Sequence, residues 1–382
     1  MVQYRKLHFG GRDMNQWSDK LLGFGLMRLP KKDDVIELDK VCEMVDAFLA
    51  NGFTYFDTAY VYPGAEIAFR EAVAKRHPRE RYTVATKLAA WLLKEGFTAE
   101  DMFRESLERC GVDYFDYYLL HSLQPSRIAA YEEQGCWEFG RKMKEEGKVR
   151  HLGFSFHGDP TLLDQLLTDH PDIDFVQLQI NYADWDDDAI FAKGNYEVCR
   201  KHGKDIVVME PVKGGILAEL KPEAMEKFRA LDPAASAASY ALRYVGSLPG
   251  VKMILSGMGT MEQLLDNMDT FRAFKPLSEE EQKAVQDVVS VLQSSDAVPC
   301  TNCRYCVKGC PQGILIPDIF RAYNMILNFG DHNRPHFYYA GLQFEGSGKA
   351  NSCIECGQCE AACPQHIAIV DQLKAASKHL DK

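Results

Sequence analysis

Leu38-Asp-Lys-Val-Cys-Glu-Met-Val-Asp-Ala-Phe-Leu-Ala-Asn51, then Gly52, then Thr54-Tyr-Phe-Asp-Thr-Ala59 is the stretch on which the fold turns. Its first part reads as a helix ended by a glycine stop, and its second as a short strand of aromatic and β-branched residues. The same unit recurs on either side. Strand-like runs stand at Leu21–Met27, Thr54–Ala59, Tyr82–Lys87, Tyr114–His121, His151–Ser155, Phe175–Asn181, Asp205–Pro211 and Met253–Gly257. Between them lie helical segments at Ala65–Arg76, Thr98–Cys110, Tyr131–Glu146, Pro160–Asp169, Tyr196–His202, Ala234–Tyr244 and Met261–Phe271, several closed by Gly111, Gly147 or Gly203. Eight βα units predict an α/β fold, a closed (β/α)8 barrel, with its chemistry at the C-terminal ends of the strands. Met1–Lys20 precedes the first strand and reads as a hairpin around Gly10-Gly11 that plugs the barrel bottom.

After a helical segment at Leu277–Ser290 the composition changes to cysteine and glycine. Cys300, Cys303, Cys306 and Cys310, followed by Pro311, are repeated as Cys353, Cys356, Cys359 and Cys363, followed by Pro364. Each run is C-x2-C-x2-C-x3-C-P. That spacing wraps three thiolates around one cubane and sends the fourth to a partner cluster. Zinc ribbons use pairs of C-x2-C hooks and four ligands per ion, which fits poorly. Two [4Fe–4S] clusters are expected, with Cys300, Cys303, Cys306 and Cys363 on one and Cys310, Cys353, Cys356 and Cys359 on the other. Between the runs, Pro317–Phe329 reads as a helix and Asp331–Phe344 as an aromatic loop. The chain is therefore read as residues 1–285, a barrel, and residues 286–382, a small, mainly helical ferredoxin-like iron–sulfur domain.

Composition narrows the partners. With 44 Lys and Arg against 55 Asp and Glu the net charge is −11, which argues against nucleic acid or an anionic membrane surface. No apolar run reaches the length of a bilayer span and no secretory segment opens the chain, so a cytoplasmic protein is expected. The remaining four of 12 cysteines, Cys42, Cys110, Cys136 and Cys199, read as apolar filler.

Four polar residues fall at or just after strand ends. Asp57 ends the second run in Phe-Asp-Thr-Ala, Tyr62 follows, Lys87 ends the third in Ala-Thr-Lys, and His121 ends the fourth in Leu-Leu-His. With Gly23-Phe-Gly-Leu-Met-Arg28, the stretch from Phe56 to Glu66, Leu107 to His121, and Gly147-Lys-Val-Arg150 leading to Gly153-Phe-Ser155, they make residues 4–275 resemble the aldo-keto reductase superfamily. The resemblance implies an oxidoreductase that reduces a small carbonyl, or oxidises an alcohol, with a nicotinamide cofactor. In that reading Tyr62 is the proton donor and the Lys87 ammonium lowers its phenolic pKa from about 10. Asp57 holds Lys87, and His121 donates a hydrogen bond to the carbonyl oxygen.

The resemblance also carries cofactor contacts. Ser155 and Gln177 match positions that hold the nicotinamide carboxamide. Ser256, Gly257 and Asn267 match the phosphate and adenosine segment, and Met209 stands where an aromatic residue stacks on the nicotinamide. The sequence departs at Phe156, where an Asn is usual, and at Gly257 and Gln263, where NADP-preferring members carry basic residues. NADH, NADPH and, as an alternative, a flavin are thus all carried forward. Because a hydride moves two electrons and a cubane one, three arrangements are open. The barrel is a carbonyl or alcohol oxidoreductase whose tail clusters pass electrons to or from a protein partner; a flavin replaces or joins the nicotinamide in a ferredoxin-linked reductase; or the clusters are structural or redox-sensing and the barrel works alone or is a non-catalytic electron-transfer scaffold.

Overall fold

The computed structural model describes residues 17–18, 20–188, 190–293, 297–300, 302–344 and 346–381. The hairpin expected around Gly10-Gly11 lies outside the described residues. Eight strands are present: β1 (Leu22–Gly25), β2 (Tyr55–Asp57), β3 (Thr83–Leu88), β4 (Phe115–Leu123), β5 (Val149–Phe156), β6 (Phe175–Gln179), β7 (Asp205–Met209) and β8 (Val251–Ser256). Each pairs in parallel with the next, and β1 closes the ring on β8 with Leu22 opposite Ile254 and Phe24 opposite Ser256. Chain alternation then sorts the side chains. Tyr55, Ala85, Tyr117, Leu119, Phe175, Val207, Met253 and Leu255 fill the lumen. Phe24, Phe56, Val84, Tyr118, Leu120, Phe154, Val176, Val208 and Ile254 point outward to the helices. Trp17 underlies the lumen, stacked on Tyr117 with ring centroids 4.6 Å apart.

The helices follow the glycine stops. Helix Leu38–Ala50 ends before Gly52, and Ala99–Cys110 starts at a capping box of Thr98 with Asp101 and ends at Gly111, whose φ is +67°. The segment expected as one helix, Tyr131–Glu146, is two, Ile128–Glu133 and Cys136–Glu145. Gly135 separates them at φ +60°, a left-handed conformation that ends a helix and that glycine adopts without a Cβ clash. The sequence reading also passed over a two-stranded turn, Lys31–Lys32 with Val35–Ile36. Its corner is Asp33-Asp34, both at positive φ, as a tight hairpin requires.

The chain divides into two compact units, one of Met1–Ala218 with Ala234–Gln282, the other of Glu219–Pro233 with Lys283–Lys382. In the second, helices Ile316–Phe329 and Ile369–Leu380 share a core of Ile316, Ile319, Phe320, Ile369, Leu373 and Ala376. The stretch expected as an aromatic loop is a helix, Asn333–Phe344. Its Tyr339 hydroxyl donates to Asp381 at 2.7 Å and accepts from the Ala350 amide at 2.7 Å, which anchors a helix that carries no clear apolar stripe. Among the described residues no helix is long and apolar enough to cross a membrane.

Candidate active site and cluster cysteines

Asp57, Lys87, Ser155, Gln177 and Met209 each lie two residues beyond a lumen-filling side chain or its equivalent on their strands, so the alternation that buries the barrel core aims them at the top of the lumen. Lys87 Nζ donates to Asp57 Oδ1 and to the Thr58 carbonyl, both at 2.6 Å. The pair is shut away from solvent, with side-chain exposures of 0% and 5%. Burial by itself disfavours the ammonium, but the Asp57 carboxylate, the Tyr62 phenol and their hydrogen bonds outweigh it and raise Lys87 above its usual value. The same burial pushes the Asp57 carboxyl upward against the pull of Lys87.

Tyr62 places its ring 5.0 Å from Lys87 Nζ and 5.9 Å, nearly perpendicular, from the His121 ring. Lys87 does pull the phenol down as expected, yet burial is the larger effect and the net shift is upward. The resting Tyr62 is therefore a protonated phenol. His121 is set by a local irregularity. The β4–β5 register breaks between Leu120 and Leu123, Ser122 sits at φ +54°, and the buried Tyr131 hydroxyl donates to the His121 carbonyl. Such a bulge re-aims a side chain at the rim of a barrel. Burial, then the Lys87 charge, hold the His121 pKa well below its ordinary value, so the ring is neutral; its buried Nδ1 has no partner among the described residues.

The cofactor positions divide. The Ser122 amide donates to Ser155 Oγ at 2.6 Å, which leaves the hydroxyl hydrogen for another acceptor. Gln177 donates to Met209 Sδ at 3.3 Å, and its buried Oε1 has no partner among the described residues. An orphaned carbonyl oxygen and a free hydroxyl hydrogen match the amide donors and the carbonyl of a nicotinamide carboxamide, so these residues fit the group. Phe156, in contrast, is 2% exposed and packs in the outer core. Asn267 Nδ2 donates to Ser256 Oγ at 2.8 Å, which ties helix Met261–Arg272 to the end of β8.

The eight cysteines of the tail surround two hollows. One is lined by Cys300, Cys303, Cys306 and Cys363 with Ile316, Phe320, Ile367 and Ile369, the other by Cys310, Cys353, Cys356 and Cys359 with Ile314, Val370 and Leu373. None of the eight is joined in a disulfide among the described residues. Among the described residues no three His, Cys, Asp or Glu side chains converge as the ligands of one ion would. The backbone repeats between the runs: Asn302 and Glu355, Arg304 and Gly357, and Gly313 and His366 all take positive φ at matching offsets. Four thiols with apolar walls fit a cubane, whose ligands are thiolates in a shielded setting.

A family model for aldo/keto reductases matches residues 21–290. The chain belongs to the aldo/keto reductase family. A second model, for a 4Fe-4S dicluster domain, matches residues 299–368. Among curated relatives, an aldo-keto reductase of Mycobacterium sp. (strain MCS) is 41% identical over 111 residues, 28% of this chain and 37% of that one. Another, from Mycobacterium avium (strain 104), is 35% identical over 136 residues, 35% of this chain and 43% of that one. The chain thus spans less than half the length of these relatives. An aldo-keto reductase from Bacillus halodurans, in holo form, superposes with a TM-score of 0.55 at 22% identity, covering 72% of this chain and 95% of that one. One from Klebsiella pneumoniae, in complex with NADPH, gives 0.56 at 21% identity, covering 70% and 90%. These two likenesses show the fold.

This aldo/keto reductase also holds residues near its site that the sequence reading passed over. Arg28, in the turn after β1, lies against the loop after β8: a Cβ on Gly257 would meet the Arg28 stem at 3.2–3.4 Å. The guanidinium is exposed and has no ion-pair partner among the described residues, so a basic side chain stands beside Gly257 although none is present at Gly257 or Gln263 themselves. Asn181, Asp184 and Lys213 form a buried cluster joining the loops after β6 and β7, in which Asn181 donates to Asp184 at 2.8 Å and Lys213 pairs with Asp184. Trp91 stands 5.5 Å from His121, whereas Trp185 packs on Tyr196 and Tyr244. Of these two tryptophans, Trp91 is the one beside His121.

Proposed function

We propose that the chain is a nicotinamide-dependent carbonyl reductase, acting also as an alcohol dehydrogenase in reverse, whose two [4Fe–4S] clusters exchange single electrons with a protein partner. The observation that carries the barrel reading is the buried Lys87 ammonium, clamped by Asp57 and Thr58 beneath the Tyr62 ring. Nicotinamide, when bound, supplies or accepts the hydride. The remaining chemistry belongs to the chain. Ser155 and Gln177 hold the carboxamide, Ser256, Gly257 and Asn267 border the phosphate and adenosine segment, Met209 packs on the ring, and Arg28 adds a positive charge for a phosphate. His121, neutral, donates a hydrogen bond to the carbonyl oxygen, and Tyr62 gives that oxygen its proton as charge develops there. Lys87 steadies the phenolate left behind until solvent returns the proton.

In the tail, the lining of the two hollows supports crossed ligation, three thiols from one run and the fourth from the other. The test is anaerobic: NADH or NADPH is added to the reconstituted full chain with a panel of aldehydes, and both nucleotide oxidation and cluster EPR are followed. Turnover lost in Tyr62→Phe supports the mechanism. No aldehyde-dependent oxidation with either nucleotide refutes it. Clusters that stay oxidised in the presence of NAD(P)H and of the substrate alcohol would remove the electron path and leave the barrel reading standing.

A further inference from the structure

Two loops frame His121 on its open side. The loop after β3 carries Trp91, whose ring centroid lies 5.5 Å from that of His121. The loop after β4 ends at Arg127, where helix Ile128–Glu133 begins, and the Arg127 guanidinium lies 4.0 Å from the Trp91 ring centroid. Tyr62, His121, Trp91 and Arg127 thus form a row, each in contact range of the next. The row begins at the proposed proton donor and ends at a cation.

That cation, unlike most of the arginines here, is not tied to a carboxylate. The chain has 55 acidic residues against 44 basic ones, and arginines such as Arg76, Arg79, Arg141, Arg150 and Arg243 are tied to carboxylates. The Arg127 side chain makes no hydrogen bond or ion pair among the described residues; its only partner there is the face of Trp91. A ring face orients a guanidinium without neutralising it, so all five N–H donors remain for another oxyanion. The charge is also felt at the site, since Arg127 adds to the effects that keep His121 neutral, after burial, Lys87 and His157. A rigid aromatic plate that holds an unpaired fork one ring away from the carbonyl-binding histidine is a means of choosing substrates by charge.

We propose that Arg127, braced on Trp91, is the specificity residue that recognises an anionic substituent, a carboxylate or a phosphate, carried on the carbonyl substrate. The inference rests on the carbonyl-reductase reading above and deepens it. Arg127 touches the substrate's far end and takes no part in the proton transfer.

The test uses the reconstituted full chain and matched aldehydes: 4-oxobutanoate against its methyl ester, and glyceraldehyde 3-phosphate against glyceraldehyde. In the wild type the charged member of at least one pair should be favoured about tenfold or more in kcat/KM, chiefly through KM, and the favoured pair identifies the anion as carboxylate or phosphate. Arg127→Met should abolish that preference while leaving the neutral members within about twofold, and Arg127→Lys should restore part of it. Added salt should raise KM for the charged members alone. Equal losses on neutral and charged aldehydes in Arg127→Met would assign Arg127 a merely structural role and overturn the inference. A raised KM for NAD(P)H instead of the aldehyde would hand the residue to the cofactor and overturn it equally. Turnover of no aldehyde at all would fail the underlying reading, and succinate and inorganic phosphate titrated by calorimetry would then decide: binding lost in Arg127→Met supports an anion site, and binding absent or unchanged in that variant refutes it.

Discussion

Replacing Lys87 by Met removes one partner of a pair in which both charges are buried and 2.6 Å apart. What remains is the Asp57 carboxyl with its Oδ2 already lacking a partner and its Oδ1 newly deprived of one. Breaking a buried pair in this way costs roughly 3–5 kcal/mol. An independent ceiling comes from protonation, because the stranded carboxylate can escape its charge by binding a proton. With an unfolded pKa of about 3.9 and about 1.4 kcal/mol per pH unit, that costs about 4 kcal/mol at pH 7 and about 1.5 kcal/mol at pH 5.

The sign follows from the direction of the shift. Burial raises the folded pKa of Asp57, so between the unfolded and folded values the native variant binds more protons than the unfolded one, and its stability falls as pH rises. Thermal and urea melts read by tryptophan fluorescence at pH 5 and pH 7 should therefore show a deficit against wild type that grows with pH, with a melting temperature lower by on the order of 10 °C at pH 7. The double variant Asp57→Leu with Lys87→Met should recover most of the stability and lose the pH slope, because an apolar pair has no charge to strand, while carbonyl turnover stays abolished. A Lys87→Met deficit under about 1 kcal/mol, or one equal at pH 5 and pH 7, would refute the buried ion pair as the centre of this site.

Tyr62→Phe should lower carbonyl reduction by about 10²–10⁴-fold with the melt unchanged, as expected for the loss of a general acid; a smaller loss would point to another donor. Because burial raises the Tyr62 phenol and keeps His121 neutral, reduction should stay level from about pH 6 to pH 9, and a bell centred near neutral pH would contradict both assignments. Cys363→Ser should deplete the cluster built on Cys300, Cys303 and Cys306, and Cys310→Ser the other, read as iron content and EPR on separately substituted chains; damage confined to the run carrying the substitution would refute the crossing. Gly153→Ala sets a new Cβ 2.6 Å from the Phe175 carbonyl inside the barrel wall and should cost about 1–3 kcal/mol, measured by the same melts.

What could be read from residues alone was what repeats or what chemistry forces. All eight strands were placed within a few residues because each βα unit restates the same signal, and the glycine stops were visible because few residues other than glycine suit those turns. Asp57, Lys87 and His121 were legible as polar residues ending apolar strands. The failures were long-range. Gly135 breaks a helix that Cys136–Glu145 could otherwise have continued, and a lone glycine inside a helical run does not announce its φ. Asn333–Phe344 carries no clear apolar stripe of its own, and its Tyr339 is tied to Ala350 and Asp381 outside the segment. Arg28 and Gly257 are far apart in sequence and meet only because β1 closes on β8. The drop in the Tyr62 pKa expected from Lys87 was reversed by burial, which no motif encodes.

The interleaving of thiols around the two hollows sets how the tail can be assembled and inherited. Each hollow borrows its last cysteine from the other run, so neither run is a self-sufficient module. A chain cut anywhere in the 42 residues between Cys310 and Cys353 leaves two incomplete sets instead of one complete one. Loss of Cys363 or of Cys310 then strikes the hollow walled mainly by the other run.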